Sequence, residues 1–372
     1  MKQLLSLAIL ITSTIIFAQE HQSIHQIQLE EYNALGHDAN YYENYQPFHP
    51  SSNNNQQKYN GCALNKMVYG WHPYWAGNDY LNYEWDLLSH MSFFSYEVDK
   101  NTGNAITTHG WSTSAAVDAA LASGNTKVTL CVSLFGSSNL TTFLTNSTAK
   151  QTLITNLINL VQSRGAHGVN IDFEGLPSSQ KTNFANFMVD LSNQMHAAIP
   201  GSEVSSVLYA VDWNNVFDFS IMLPAVDYFV IMGYDYYYPG SSNTGPNDPL
   251  YHFGSTYNFT LSKTITDYIN AGCSTDRLVL GLPYYGFQWE TVDGNIPSAT
   301  TANGIARTYS LVKNNTSGNY SAANHNFDND SYTDIYVYQQ GGVWKQCYIS
   351  EKDAFRKRLQ HVNNSDIAGI GI

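Results

Sequence analysis

An α/β fold closed as a (β/α)8 TIM barrel is what this sequence predicts, and three observations predict it. First, from Met67 onward eight short apolar runs alternate with helical or loop segments: Met67–Trp75, His90–Val98, Lys127–Leu134, Gly168–Glu174, Val204–Asp212, Tyr228–Tyr236, Arg277–Tyr285 and Ile367–Ile372. Such alternation implies a parallel sheet, and eight strands over about 300 residues fit a closed barrel with insertions. Second, the fourth run alternates strictly. Val169, Ile171 and Phe173 fall on one face of a strand, and Asn170, Asp172 and Glu174 on the other. Third, that run is flanked by segments with apolar residues at helical spacing: Leu153, Leu157, Leu160 and Val161 before it, and Phe184, Phe187, Met188, Leu191 and Met195 after it. Helices on the apolar face leave the acids facing the barrel interior, and a barrel's active site lies at the C-terminal ends of its strands.

The elements follow in chain order. Residues 1–19 read as a secretory signal peptide: Lys2 supplies the positive start, Leu4 to Phe17 the apolar stretch, and Ala18-Gln19 the small-residue exit. The apolar stretch is short and broken by Ser and Thr, so a membrane span is the poorer reading. Residues 20–60 are polar, rich in Asn, Gln, Tyr and His, without a sustained apolar period. They read as a linker or an extension wrapped on the surface, and their histidines (His21, His25, His37, His49) as solvated. The barrel domain spans 61–372. The gap between the seventh and eighth runs is too long for a plain loop. Residues 287–348 within it read as an inserted α+β subdomain, with a strand at Asp334–Gln339. The final run stops in mid-strand at Ile372, which predicts a truncated last strand and a barrel open at its last seam.

Composition bounds the partners. Lys plus Arg is 17 against 30 for Asp plus Glu, a net charge of −13. An acidic balance of this size argues against nucleic acid or an anionic membrane surface as partner. Aromatic residues make up 14% of the chain, with 27 Tyr. Flat amphipathic rings suit sugar rings, and equally suit a Tyr-rich core. The cysteines, Cys62, Cys131, Cys273 and Cys347, are widely spaced and match no zinc pattern. Cys131 reads as a small buried hydrophobe.

Asp172 and Glu174 carry the chemistry. Two inward acids two residues apart can bind metal, act as an acid–base pair, or form a structural network. No His follows at ligand spacing, so no metal and no cofactor is expected. Burying two adjacent carboxylates is costly unless they share a proton, and sharing raises one pKa toward neutrality. Glu174, nearest the strand end, is the natural proton donor.

His167-Gly168-Val169-Asn170-Ile171-Asp172-Phe173-Glu174 resembles the Asp-Gly-x-Asp-x-Asp-x-Glu signature of glycoside hydrolase family 18, the chitinases and endo-β-N-acetylglucosaminidases. The last two acids match; His167 and Asn170 stand in place of the first two. Met232-Gly233-Tyr234-Asp235 resembles the family's Met-x-Tyr-Asp, Ser133-Leu134-Phe135-Gly136 its third strand, and Gly281 to Trp289 its seventh strand and loop. The resemblance covers about Met67 to Ile372. It implies Glu174 as general acid/base, Asp172 as the residue orienting the substrate's acetamido group, and Tyr234 and Asp235 as its helpers. Asn170, Met232, Trp75, Phe94, Tyr285 and Trp289 complete the set as substrate-binding residues. The implied reaction has no enzyme nucleophile, because the substrate's own acetamido oxygen attacks the anomeric carbon with retention. The expected partner is a polysaccharide or oligosaccharide containing N-acetylglucosamine, met outside the cell by a monomer. Chitin, peptidoglycan and N-glycan cores share the chemistry. A non-catalytic chitin-binding relative is the other class, and the presence of Glu174 argues against it.

Overall fold

The computed structural model describes residues 22–43, 64–254 and 259–372; the predicted leader at 1–19 and Cys62 lie outside them. Eight parallel strands form the barrel: β1 (Met67–Pro73), β2 (His90–Val98), β3 (Lys127–Phe135), β4 (Gly168–Glu174), β5 (Glu203–Leu208), β6 (Tyr228–Met232), β7 (Leu278–Gly281) and β8 (Gly369–Gly371). Each pairs with its neighbours in this order, and β1 closes the ring between β2 and β8. The expected open seam is therefore corrected. Met67, Val68 and Tyr69 face Gly369, Ile370 and Gly371, and the Ile372 N–H donates to the Tyr69 carbonyl at 2.7 Å. A strand joins a barrel through its backbone ladder, and the residues through Ile372 suffice for that.

Helices Ser147–Arg164 and Lys181–Ala198 flank β4 in sequence. Asn146 caps the first by accepting from the Ala149 N–H, and Gly165, in the left-handed region at φ 62°, ends it. Their apolar faces, including Leu157, Val161, Phe184 and Phe187, are buried in one core with Val169, Ile171 and Phe173. Phe173 stacks on Phe187 with centroids 5.8 Å apart. Each fully buried side chain of this size stabilises the fold by about 1.5–3 kcal/mol. This packing commits the odd-numbered face of β4 outward and its acids inward.

A separate five-stranded antiparallel sheet lies between β7 and β8 in the chain. Its spatial order is Ile305–Thr308, Tyr285–Thr291, Val343–Ile349, Thr333–Gln340 and His325–Asp328. Residues 22–43 of the expected extension pack against the barrel through Leu29 and Tyr42. The polar N-terminal stretch contains helices Ile24–Ala34 and Ala39–Glu43. Only Ile24 and Leu29 of the first are buried, too few to give an apolar period in the sequence. Among the described residues no helix is long and apolar enough to cross a membrane.

Candidate active site

Asp172 and Glu174 end β4 with their side chains inside the barrel mouth, 3% and 10% exposed. The register sets Asp172 beside Ser133 and Glu174 beside Phe135 of β3. Two residues earlier on the same strand face, Asn170 is fully buried and hydrogen-bonded through both ends of its amide. Its Oδ1 accepts from Trp71 Nε1 at 3.1 Å, and its Nδ2 donates to Ser205 Oγ at 2.9 Å. An amide at this position can satisfy both a donor and an acceptor, whereas a carboxylate could only accept. Trp71 and Ser205 thus fix the Asn170 side chain beneath the acids.

The second cluster follows β6. The Gly233 position lies so close to β7 that a Cβ there would meet the Gly281 carbonyl oxygen at 2.3 Å. Only glycine allows that approach, and it carries Tyr234 over the barrel mouth. Asp235 adopts φ 61°, and the Asn247 carboxamide accepts from its N–H at 2.7 Å. Tyr285 Oη donates to Asp235 Oδ1 at 2.8 Å, which orients that carboxylate. Met232 is buried directly beneath.

A residue the sequence reading set aside completes the site. His25, from the N-terminal helix, places Nδ1 3.7 Å from Asp172 Oδ2 and 3.7 Å from Glu174 Oε1. Its Nε2 lies 3.1 Å from Tyr234 Oη. The reading of His25 as solvated is corrected: its side chain is 28% exposed and sits between the acids and the tyrosine. One ring touching all three shows that Asp172, Glu174 and Tyr234 converge on a single point. Nδ1 and one oxygen from each acid lie within 4.8 Å of one another, an arrangement that could gather round a divalent cation. A protonated imidazole facing two carboxylates accounts for the same atoms, and no metal is assigned.

The electrostatics fit a proton donor. Burial, and then the neighbouring Asp172 charge, push the Glu174 pKa up; His25 opposes both. Burial and the surrounding carboxylates hold the Tyr234 hydroxyl well above its usual pKa, so it stays protonated. Burial alone would lower the His25 pKa, but Asp172 and Glu174 more than reverse this and raise it to about 10. Asp172 Oδ1 and Glu174 Oε1 are buried without a hydrogen-bond partner among the described residues. Buried acceptors in that state are suited to receive a ligand's donors.

The aromatic candidates divide. Trp75 and Phe94 meet edge-to-face with centroids 5.6 Å apart on the rim next to His25. Tyr285 reaches the site through Asp235. Trp289 does not belong to it, and its assignment to substrate binding is corrected. It is fully buried in the inserted subdomain with Phe253, Phe287, Ile335 and Tyr348, and its Nε1 donates to the Pro239 carbonyl at 3.2 Å. Asn247, Trp71 and Tyr32 carry supporting contacts that no local sequence pattern marked.

A closed parallel barrel with paired acids at the end of its fourth strand, plus an antiparallel insertion, defines the class of barrel glycosidases. The chain belongs to the glycosyl hydrolases family 18, whose model matches residues 65–372. It is 28% identical over 153 residues to a Bacillus subtilis protein named as a sporulation-specific glycosylase, covering 39% of this chain and 33% of that one. It is 29% identical over 160 residues to a class V chitinase of Arabidopsis thaliana, covering 40% and 42%. The matches therefore span about a third to two-fifths of these relatives. A class V chitinase from Nicotiana tobaccum, solved as a mutant with NAG4, has the same fold, with TM-score 0.72 at 17% identity over 82% of this chain and 93% of that one.

Proposed function

We propose that this protein is a secreted hydrolase of β-1,4-linked N-acetylglucosamine polymers that works by substrate-assisted, retaining catalysis. The observation that carries the proposal is the convergence of Asp172, Glu174 and Tyr234 on one point, now held by the His25 ring. A sugar's 2-acetamido group placed there meets all three. Glu174, its pKa raised by burial, donates its proton to the glycosidic oxygen as that bond breaks. The acetamido oxygen attacks the anomeric carbon and forms the oxazolinium ion. Asp172 accepts from the acetamido N–H and stabilises the positive charge, while the Tyr234 hydroxyl donates to the acetamido oxygen and orients it. Glu174 then takes a proton from the water that opens the ring. Secretion follows from the leader read in residues 1–19, and extracellular polymer is the matching substrate.

Chitin is the first candidate because relatives named as chitinases recur at the level of fold and sequence. The glycan strand of peptidoglycan is a second, favoured by the likeness to a protein named for sporulation. Initial rates on chitin oligomers, peptidoglycan, a high-mannose glycoprotein and cellulose oligomers test the reading. Cleavage confined to acetylated substrates, with tight inhibition by a stable oxazoline mimic, is expected. Efficient cleavage of cellulose oligomers, or indifference to the mimic, would contradict it.

A further inference from the structure

Besides His25, much of the first helix lies on the mouth of the barrel. Ser23 caps it by accepting from the Gln26 N–H at 3.1 Å. Leu29 is buried in the same core as Trp75 and Phe94. The Tyr32 ring stacks on Trp75 with centroids 4.6 Å apart and planes 5° from parallel. Asn33 is fixed from both sides: Tyr74 Oη donates to its Oδ1 at 2.9 Å, and its Nδ2 donates to Glu97 Oε1 at 3.0 Å. The short second helix continues the contact. Tyr42 is buried edge-to-face against Tyr74, and Glu43 Oε2 accepts from the Ala115 N–H at 3.1 Å.

The geometry points to an intramolecular inhibitor: residues 23–43 occupy the sugar-binding cleft and must leave before a polysaccharide can enter. The inference rests on the function proposed above and deepens it by naming what occupies the site at rest. Each main contact takes a place that a sugar would need. His25 sits between the two acids and Tyr234, where an acetamido group would lie. Tyr32 lies flat on Trp75, and a flat apolar face on an indole is also how a pyranose stacks. The imidazolium supplies the positive charge that the paired carboxylates would otherwise find in the oxazolinium ion. Asn33 engages Glu97 and Tyr74, which flank the site. The two occupants are mutually exclusive, because a ring 3.7 Å from both carboxylates leaves no room for a sugar. In the sequence, residues 44–63 join this segment to the barrel. The open form is then a minor population, and apparent affinity for sugar falls by that fraction.

The test uses the full chain and three variants, His25→Ala, Tyr32→Ala and the pair. The first readout is calorimetric binding of N-acetylglucosamine tetramer, with kcat/KM on the same tetramer beside it. The second is hydrogen exchange of the Ile24–Ala34 amides with and without saturating tetramer. The expected result is at least about tenfold tighter apparent binding in the double variant, a matching rise in kcat/KM, and faster helix exchange when tetramer is added to wild type. A synthetic peptide of residues 22–43 should then compete with tetramer for the double variant. Equal or weaker binding by the variants, no binding to any of the proteins, or helix exchange that ignores saturating sugar would each overturn the inference. Tighter binding without turnover in any protein would sustain the inhibitor and defeat the proposed hydrolysis. Equal turnover by all four proteins would do the reverse.

Discussion

At the scale of single residues, the site is a contest over charge. Two buried carboxylates two residues apart repel one another, and His25 relieves them. The acids were legible in the sequence because a strand's period of two places Asp172 and Glu174 on the face opposite Ile171 and Phe173. His25 was not, since it comes from a polar stretch far away in the chain and no local spacing links it to β4. No histidine follows the acids at ligand spacing in the sequence, yet the fold brings His25 to them from the N-terminal helix. A titration follows from this. The docked His25 has its pKa raised to about 10 from 6.5, so docking takes up a proton between those values. Its contribution to holding the helix is full below 6.5 and is lost as pH rises through about 10. The groups facing it are Asp172 and Glu174 on β4 and the Tyr234 hydroxyl, which remains protonated over this range. NMR of the labelled imidazole should show a cation persisting well above pH 7; an ordinary midpoint near 6.5 would show that the ring does not rest between the acids.

At the scale of elements, the barrel strands were predicted from apolar runs bounded by polar segments, and the structure supplies all eight. The strand expected at Asp334–Gln339 lies within Thr333–Gln340. Residue type alone does not fix position. Tyr285 and Trp289 share one face of the strand Tyr285–Thr291, but four residues along a strand is about 13 Å. Tyr285 begins that strand beside Asp235, whereas Trp289 lies deep in the insertion with no exposed surface. Trp289→Ala should accordingly act on stability. Removal of a fully buried indole costs about 3–5 kcal/mol, read as a lower denaturant midpoint. At temperatures where the variant remains folded, its tetramer affinity should match wild type. A selective loss of affinity with unchanged stability would return Trp289 to the cleft.

For the whole molecule, the fold was legible because a (β/α)8 barrel repeats one local pattern, and repetition compensates for ambiguity in any single run. A run that stops at Ile372 suggests an open seam, but closure needs only the backbone ladder between β1 and Gly369–Gly371, which those few residues supply. The net charge of −13 argues against phosphate-rich partners and does not distinguish one neutral polymer from another. The extension's role was hidden for a similar reason: a helix that buries two residues leaves no periodic trace, and its meaning appears only against the surface it covers. In the proposed hydrolytic site, Glu174 is the acid. The direct measurement is kcat/KM for N-acetylglucosamine tetramer with wild type and Glu174→Gln, each also in the His25→Ala background so that an occupied cleft cannot mask the effect. The amide keeps the shape and removes the proton, so kcat/KM should fall by about two to four orders of magnitude in both backgrounds, with tetramer binding and thermal unfolding retained. Undiminished turnover by Glu174→Gln would contradict the account.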